Sequence, residues 1–130
     1  MDVNELCRLL NEYDPKLNIE RLDGDYLVIN INEYLSLSAA EANEMLVLND
    51  STMHSYHWHM ETEKMAGFII DILKGNVIII ERVSLLGKVL GLPWHYKIVK
   101  KAKFEKIKHQ YIGKKKVRIY SGNSIIQIAD

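Results

Sequence analysis

The sequence predicts an α+β fold, with a mainly antiparallel sheet of about six to eight strands and two or three helices. Two stretches carry apolar residues at helical spacing, one at the N-terminus and one beginning at Glu61. Most of the remainder consists of short alternating or apolar segments, several of them joined by tight-turn signals such as Asp23-Gly24-Asp25 and Ser121-Gly122-Asn123. In order the elements read α-β-β-β-β-β-α-β-β-α-β-β.

Asp2 is placed to cap the first helix, with Glu5 three residues on to complete a capping box. Val3, Leu6, Leu10 and Tyr13 form its apolar stripe, Cys7 falls beside that stripe as a buried and inert thiol, and Asp14-Pro15 ends the helix. Leu17 to Leu22 and Tyr26 to Ile31 make a hairpin, and Tyr34 to Ser38 a further strand. Ser38-Ala39-Ala40-Glu41 can open a short helix or a turn. A turn is favoured because Met45-Leu46-Val47-Leu48 follows as a strand, with Met53 to Met60 as its antiparallel neighbour. Glu61 to Lys74 is the clearest helix, with Met65, Phe68, Ile69, Ile72 and Leu73 inward and Gly75 at its C-terminal end. Val77 to Val83 is apolar on both faces and reads as a central strand covered on both sides. Leu85 to Gly91 reads as a turn and Leu92 to Val99 as a strand with Trp94, Tyr96 and Ile98 on one side. Lys101 to Tyr111 is a basic helix with Phe104, Ile107 and Tyr111 inward, and Val117 to Tyr120 and Ser124 to Ile128 form a last hairpin.

At 130 residues, 48% hydrophobic and 26% charged, the chain has the composition of one ordinary globular domain, residues 1–130, rather than of a disordered or fibrous protein. Its most apolar region is interrupted by charges, and no signal-peptide pattern opens it, so a cytoplasmic protein without a membrane partner is expected. The single cysteine excludes an internal disulfide.

A net charge of +0 conceals a division. Residues 1–80 hold 5 Lys/Arg and 14 Asp/Glu, a net of −9, and residues 81–130 hold 12 and 3, a net of +9. Such asymmetry points to a charged partner, unless the two halves interleave in space and neutralise each other.

His57-Trp58-His59 is the one constellation with the makings of a site. On a strand, His57 and His59 share a face, while Tyr56, Trp58 and Met60 point to the core. The pair can chelate a metal with Glu61 or Glu63, act as acid and base, contact phosphate, or play a structural or interface role, which is the plainest reading. His57-x-His59 with Glu63 partly resembles the cupin metal motif but lacks its glycines, and its glutamate falls on a helix. Neither a nucleophile elbow nor a phosphate loop is present, so nothing in the sequence requires an enzyme or a cofactor.

The C-terminal region offers a basic surface: Lys97, Lys101, Lys103, Lys106 and Lys108, then Lys114, Lys115, Lys116 and Arg118, interleaved with Trp94, Tyr96, Tyr111 and Tyr120. Lysines beside aromatics suit single-stranded nucleic acid, yet these aromatics fall on apolar faces, which predicts core positions.

Leu46 to Ile80 combines a strand ending in His-aromatic-His, an acid-started helix, a Lys74-Gly75 turn and an apolar strand. This segment resembles small stand-alone bacterial proteins, some of which are immunity partners of polymorphic toxins. The resemblance implies a binding protein without catalytic residues, whose surface plugs a toxin domain. For a basic nuclease toxin the acidic half would serve, through Glu41, Glu44, Asp50, Glu61 and Glu63, with His57 and His59 beside them. The competing readings are a nucleic-acid-binding module and a histidine-based metalloenzyme. An unpaired apolar edge strand leaves homodimerisation open.

Overall fold

A computed structural model of the chain describes residues 2–23, 25–42, 44–49, 57–82 and 96–128, with His57 described by its backbone alone. The described residues form two compact units, 1–70 and 71–130, each built on its own antiparallel sheet. The fold is α+β and antiparallel as the sequence predicts. The nine strands of the predicted element order are present among the described residues, divided between a five-stranded and a four-stranded sheet rather than gathered six to eight in one.

In the first unit, α1 (Val3–Tyr13) starts where the Asp2 carboxylate accepts the Asn4 N–H at 2.9 Å and the Glu5 N–H at 3.3 Å. The capping box is half formed. Glu5 turns outward to Arg8, whose Nε donates to it at 2.9 Å and holds its carboxyl below the ordinary range, while the Asp2 N–H goes to Thr62 Oγ1 at 2.8 Å. Asp2→Ala is expected to cost about 1 kcal/mol, read as a shift in the urea midpoint at unchanged slope. Val3, Leu6 and Leu10 are buried as expected, but Tyr13, in the last turn, is exposed, and Cys7, at the edge of the apolar stripe, is only half-buried.

Five strands follow as a meander: β1 (Asn18–Leu22), β2 (Tyr26–Asn32), β3 (Leu35–Ala40), β4 (Met45–Leu48) and β5 (His57–His59), each paired to the next. Leu27, Ile29, Leu37, Ala39, Leu46 and Leu48 point to one face and are fully buried, the alternation expected of a sheet packed on one side. Both helices of this unit lie on that face. The Trp58 ring packs, tilted by 51°, at 4.7 Å from the ring of Phe68 on α2 (Thr62–Leu73), and Arg21 donates to Asn4 of α1. The opposite face carries Tyr26, Val28, Ser38, Met45 and Val47.

The division between units falls within α2, after Ile70. α2 ends in a Schellman motif: Gly75 N–H bonds the Ile72 carbonyl and Asn76 N–H the Asp71 carbonyl, both at 3.1 Å, with Gly75 at φ +78°. The second sheet has the order β7-β6-β8-β9, from β6 (Val77–Arg82), β7 (Tyr96–Lys100), β8 (Val117–Tyr120) and β9 (Ile125–Gln127). β6 is central and buried on both faces from Val77 to Glu81, as its unbroken apolar run predicts. Ile78, Ile80, Val99, Val117 and Ile119 pack with Phe104 of α3 (Lys101–Ile107) and with Tyr111. The predicted helix to Tyr111 tightens instead into a 3-10 turn over Lys108–Gln110. On β7 the buried residue is Val99, while Tyr96 and Ile98 on the other side are half-exposed. The expectations for Tyr56, for Leu85 to Gly91 and for Trp94 lie outside the described residues.

Candidate functional site

The unit boundary coincides with the charge boundary. Residues 1–70 contain 4 Lys/Arg and 13 Asp/Glu, a net of −9, and residues 71–130 contain 13 and 4, a net of +9. Each compact unit thus carries a strong net charge, opposite in sign to the other's.

Within the acidic unit, the meander decides where the carboxylates collect. Alternate turns of an up-and-down sheet lie at the same end, so the β1–β2 turn with Asp23 and Asp25 adjoins the β3–β4 turn with Glu41 and Glu44. Backbone bonds hold this end together: Glu41 N–H to the Asp25 carbonyl at 3.0 Å, and Met60 N–H to the Glu44 carbonyl at 2.9 Å. Asp23 and Glu44 both take left-handed backbone, φ +48° and +47°, which fits tight turns. The second bond also brings the start of α2 to the same end, with Glu61 and Glu63 exposed. Acidic side chains there face the positive end of the helix dipole.

An open depression of about 450 Å³ lies at this end, lined by Ala42, Glu44, His59, Met60, Glu61 and Lys64. Three of the residues singled out from sequence meet in it: His59, Glu44 and Glu61. His59 is exposed and Trp58 faces the helices, so these two neighbours divide between the sheet's faces as alternation requires. Glu63 does not line the depression, Glu41 is half-buried in the turn above it, and Asp50 lies outside the described residues. Lys64 also lines the depression, and Asp23 and Asp25 lie on the turn at the same end of the sheet; none of the three stands out in the sequence as a site residue. Among the described residues no three His, Cys, Asp or Glu side chains are grouped to hold a metal. A second depression, about 320 Å³, sits at the opposite end of the same sheet and is lined mainly by amides and hydroxyls: Asn30, Asn32, Tyr34, Ser36 and Asn49 with Glu33.

The basic surface is smaller than the sequence suggests. Lys101, Lys103 and Lys106 are exposed on α3, and Lys114, Lys115 and Lys116 on the turn before β8. Lys97 donates to the Tyr111 hydroxyl at 3.2 Å and sits over its ring, and Lys108 pairs with Glu105 at 2.9 Å. Arg118 does not belong to that surface: it is half-buried and bonds Glu81 across the sheet at 3.0 Å, because both side chains project from paired positions. Tyr111 and Tyr120 are buried and offer no face on which a base could stack.

No helix among the described residues is long and apolar enough to cross a membrane. Comparison with known proteins finds no family model, no curated protein and no solved structure that matches the chain.

Proposed function

We propose that this chain is a non-catalytic binding protein of the bacterial cytosol that captures another protein through its acidic unit, in the manner of an immunity protein or antitoxin. The observation that carries the reading is the concentration of carboxylates at one end of the five-stranded sheet, around a depression lined by Glu44, His59 and Glu61, in a unit of net charge −9. A partner with a basic active site, such as a nuclease toxin domain, meets that end with opposite charge. Opposite charge speeds encounter and disfavours acidic competitors. Capture of this kind needs a shaped, charged rim and no reacting group of its own.

The test uses the protein encoded beside this gene, co-expressed with the chain and then titrated by calorimetry. A 1:1 complex is expected that weakens as salt rises. The Glu44→Lys/Glu61→Lys double variant is expected to lose on the order of tenfold in affinity, about 1.4 kcal/mol. A chain that ignores that protein but binds oligonucleotides with a steep salt dependence would transfer the function to the lysines of the second unit.

A further inference from the structure

We propose that the depression of about 320 Å³ at the β2–β3 end of the five-stranded sheet binds a neutral oligosaccharide, laid across the strands along a row of amides. The site lies wholly within the first unit, at the end of the sheet away from Glu44, His59 and Glu61, and does not depend on the protein partner proposed above.

Register sets the row. Asn18 of β1 pairs with Asn30 of β2, and Asn30 with Ser36 of β3, so the three side chains share one face of the sheet. Asn49 extends the row just past the end of β4: its N–H bonds the Ser36 carbonyl at 2.7 Å, and its Oδ1 accepts the Ser36 N–H at 2.8 Å. Four of the seven asparagines in residues 1–70 collect at this end, Asn32 being the fourth. Asparagine is disfavoured in strands, yet Asn18, Asn30 and Asn32 all occupy strand positions. Positions held against local preference mark a use for the side chain itself. A bulge adds a second mark. Ile31 is the extra residue between the Asn30–Ser36 and Asn32–Leu35 pairs, and both Asn30 and Asn32 line the depression. Bulges re-aim side chains and are over-represented beside active sites.

The chemistry of the lining selects the ligand. Asn32 Oδ1 accepts the Tyr34 N–H at 2.9 Å, so Asn32, like Asn49, is fixed by backbone before any ligand arrives. Among the described residues, no bond within the protein occupies the half-buried Asn30 amide or Ser36 hydroxyl. Amides and hydroxyls both donate and accept, which complements the neighbouring hydroxyls of a sugar ring. Tyr34, half-exposed in the lining, adds an aromatic ring for the C–H face of a sugar. Glu33 is the one charged residue of the described lining and repels anions, while Glu20 lies a row farther along the face, opposite Val28. An apolar ligand would leave the amides dehydrated and unpaired. Neighbouring strands lie roughly 4.8 Å apart, so the row runs roughly 14 Å. Its step is close to the repeat of an extended pyranoside chain, and successive sugars meet successive strands.

Titration followed by amide NMR tests the site, with maltohexaose, mannohexaose and chitohexaose as probes. At least one is expected to bind with a Kd on the order of 1 mM. It should shift the backbone amides of Asn30, Asn32, Tyr34, Ser36 and Asn49 and leave those around Glu44 and Glu61 in place. The corresponding monosaccharide should bind at least tenfold more weakly, because it meets a single step of the row. Asn30→Ala and Ser36→Ala remove no side-chain bond made within the described protein, and each should weaken binding of the hexaose about tenfold. Asn30→Thr replaces Asn30→Ala should circular dichroism show the latter unfolded. Capture of a protein partner through Glu44 and Glu61 is expected to survive these variants, so the two readings fail separately. No shift with any of the three hexaoses, shifts scattered over the chain, a monosaccharide as tight as its hexaose, or variants that bind like the wild type would overturn the proposal.

Discussion

Replacing Gly122 with alanine is expected to destabilise the 71–130 unit by about 3 kcal/mol. A Cβ on Gly122 would lie 2.8 Å from the Ile72 carbonyl carbon and 2.9 Å from Leu73 Cα, and closer still to the Ile72 carbonyl oxygen. All three atoms are backbone of the last turn of α2, so no side chain can swing aside. Neither partner is free to withdraw. The helix end is fixed by its Schellman bonds, and the β8–β9 turn is pinned to it by Asn123 Nδ2, which donates to the Lys74 carbonyl at 2.8 Å. Within the turn, the Ser121 N–H bonds the Ser124 carbonyl at 2.8 Å, and the Ser121 hydroxyl donates to Asn123 Oδ1 at 2.9 Å. The entropy that alanine removes from the unfolded chain returns only about 0.4–1 kcal/mol. Asn123→Ala, which deletes the side-chain bonds to Lys74 and Ser121 and adds no atom, should cost about 1–2 kcal/mol. Urea unfolding followed by far-ultraviolet dichroism separates the two. A Gly122→Ala cost no greater than that of Asn123→Ala would mean that the turn shifts without resistance.

The order of elements was legible because each carries a local signal. Asp2 caps, Asp14-Pro15 stops, Gly75 terminates, and the β6 run from Val77 is apolar on both faces. The partition into two sheets was not legible. It depends on which strands find each other across α2, and hydrophobic alternation is the same whether a strand joins a neighbour's sheet or starts a new one. The half-formed capping box has a different, local origin: Glu5 can reach back to Asp2 or forward to Arg8 at i+3 on the same helix, and the charged partner wins.

The site was legible in part. Strand alternation placed Trp58 on one face and His59 on the other, and Glu61 came with the helix start. Glu44 joins them by pairing, since β4 runs antiparallel to β5 and places its own beginning beside the end of β5. Asp23 and Asp25 were read as turn residues only. Once the five strands are known to be a meander, the odd-numbered turns share an end, and these two carboxylates become part of the same acidic surface. That step needs the topology, which composition and spacing do not contain. The charge division was visible in the bare sequence; its coincidence with two compact units gave it a spatial meaning.

Arg118 is the residue whose role changes most between sequence and structure, and Arg118→Ala is expected to cost about 2–4 kcal/mol. In a run of Lys114-Lys115-Lys116-x-Arg118 it reads as one more surface cation. On β8 it faces Glu81 of the central strand, whose side chain is only 11% exposed, while that of Arg118 is 25% exposed. Removing the guanidinium leaves a largely dehydrated carboxylate without its counter-charge, and that residual charge, rather than the attraction lost, dominates the cost. The partial exposure of Arg118 lets water return and keeps the figure below that of a fully buried pair. Replacing both partners by apolar residues, Glu81→Leu with Arg118→Leu, removes the orphaned charge and should recover most of the loss. Thermal and urea unfolding of both singles and the double variant measure the coupling between the two sites. A double variant as unstable as Arg118→Ala would locate the cost in packing of the arginine stem. Substituting Lys114, Lys115 and Lys116 together should leave stability within about 0.5 kcal/mol, as exposed positions do, so that the two halves of one basic run separate into a structural cation and a solvated rim.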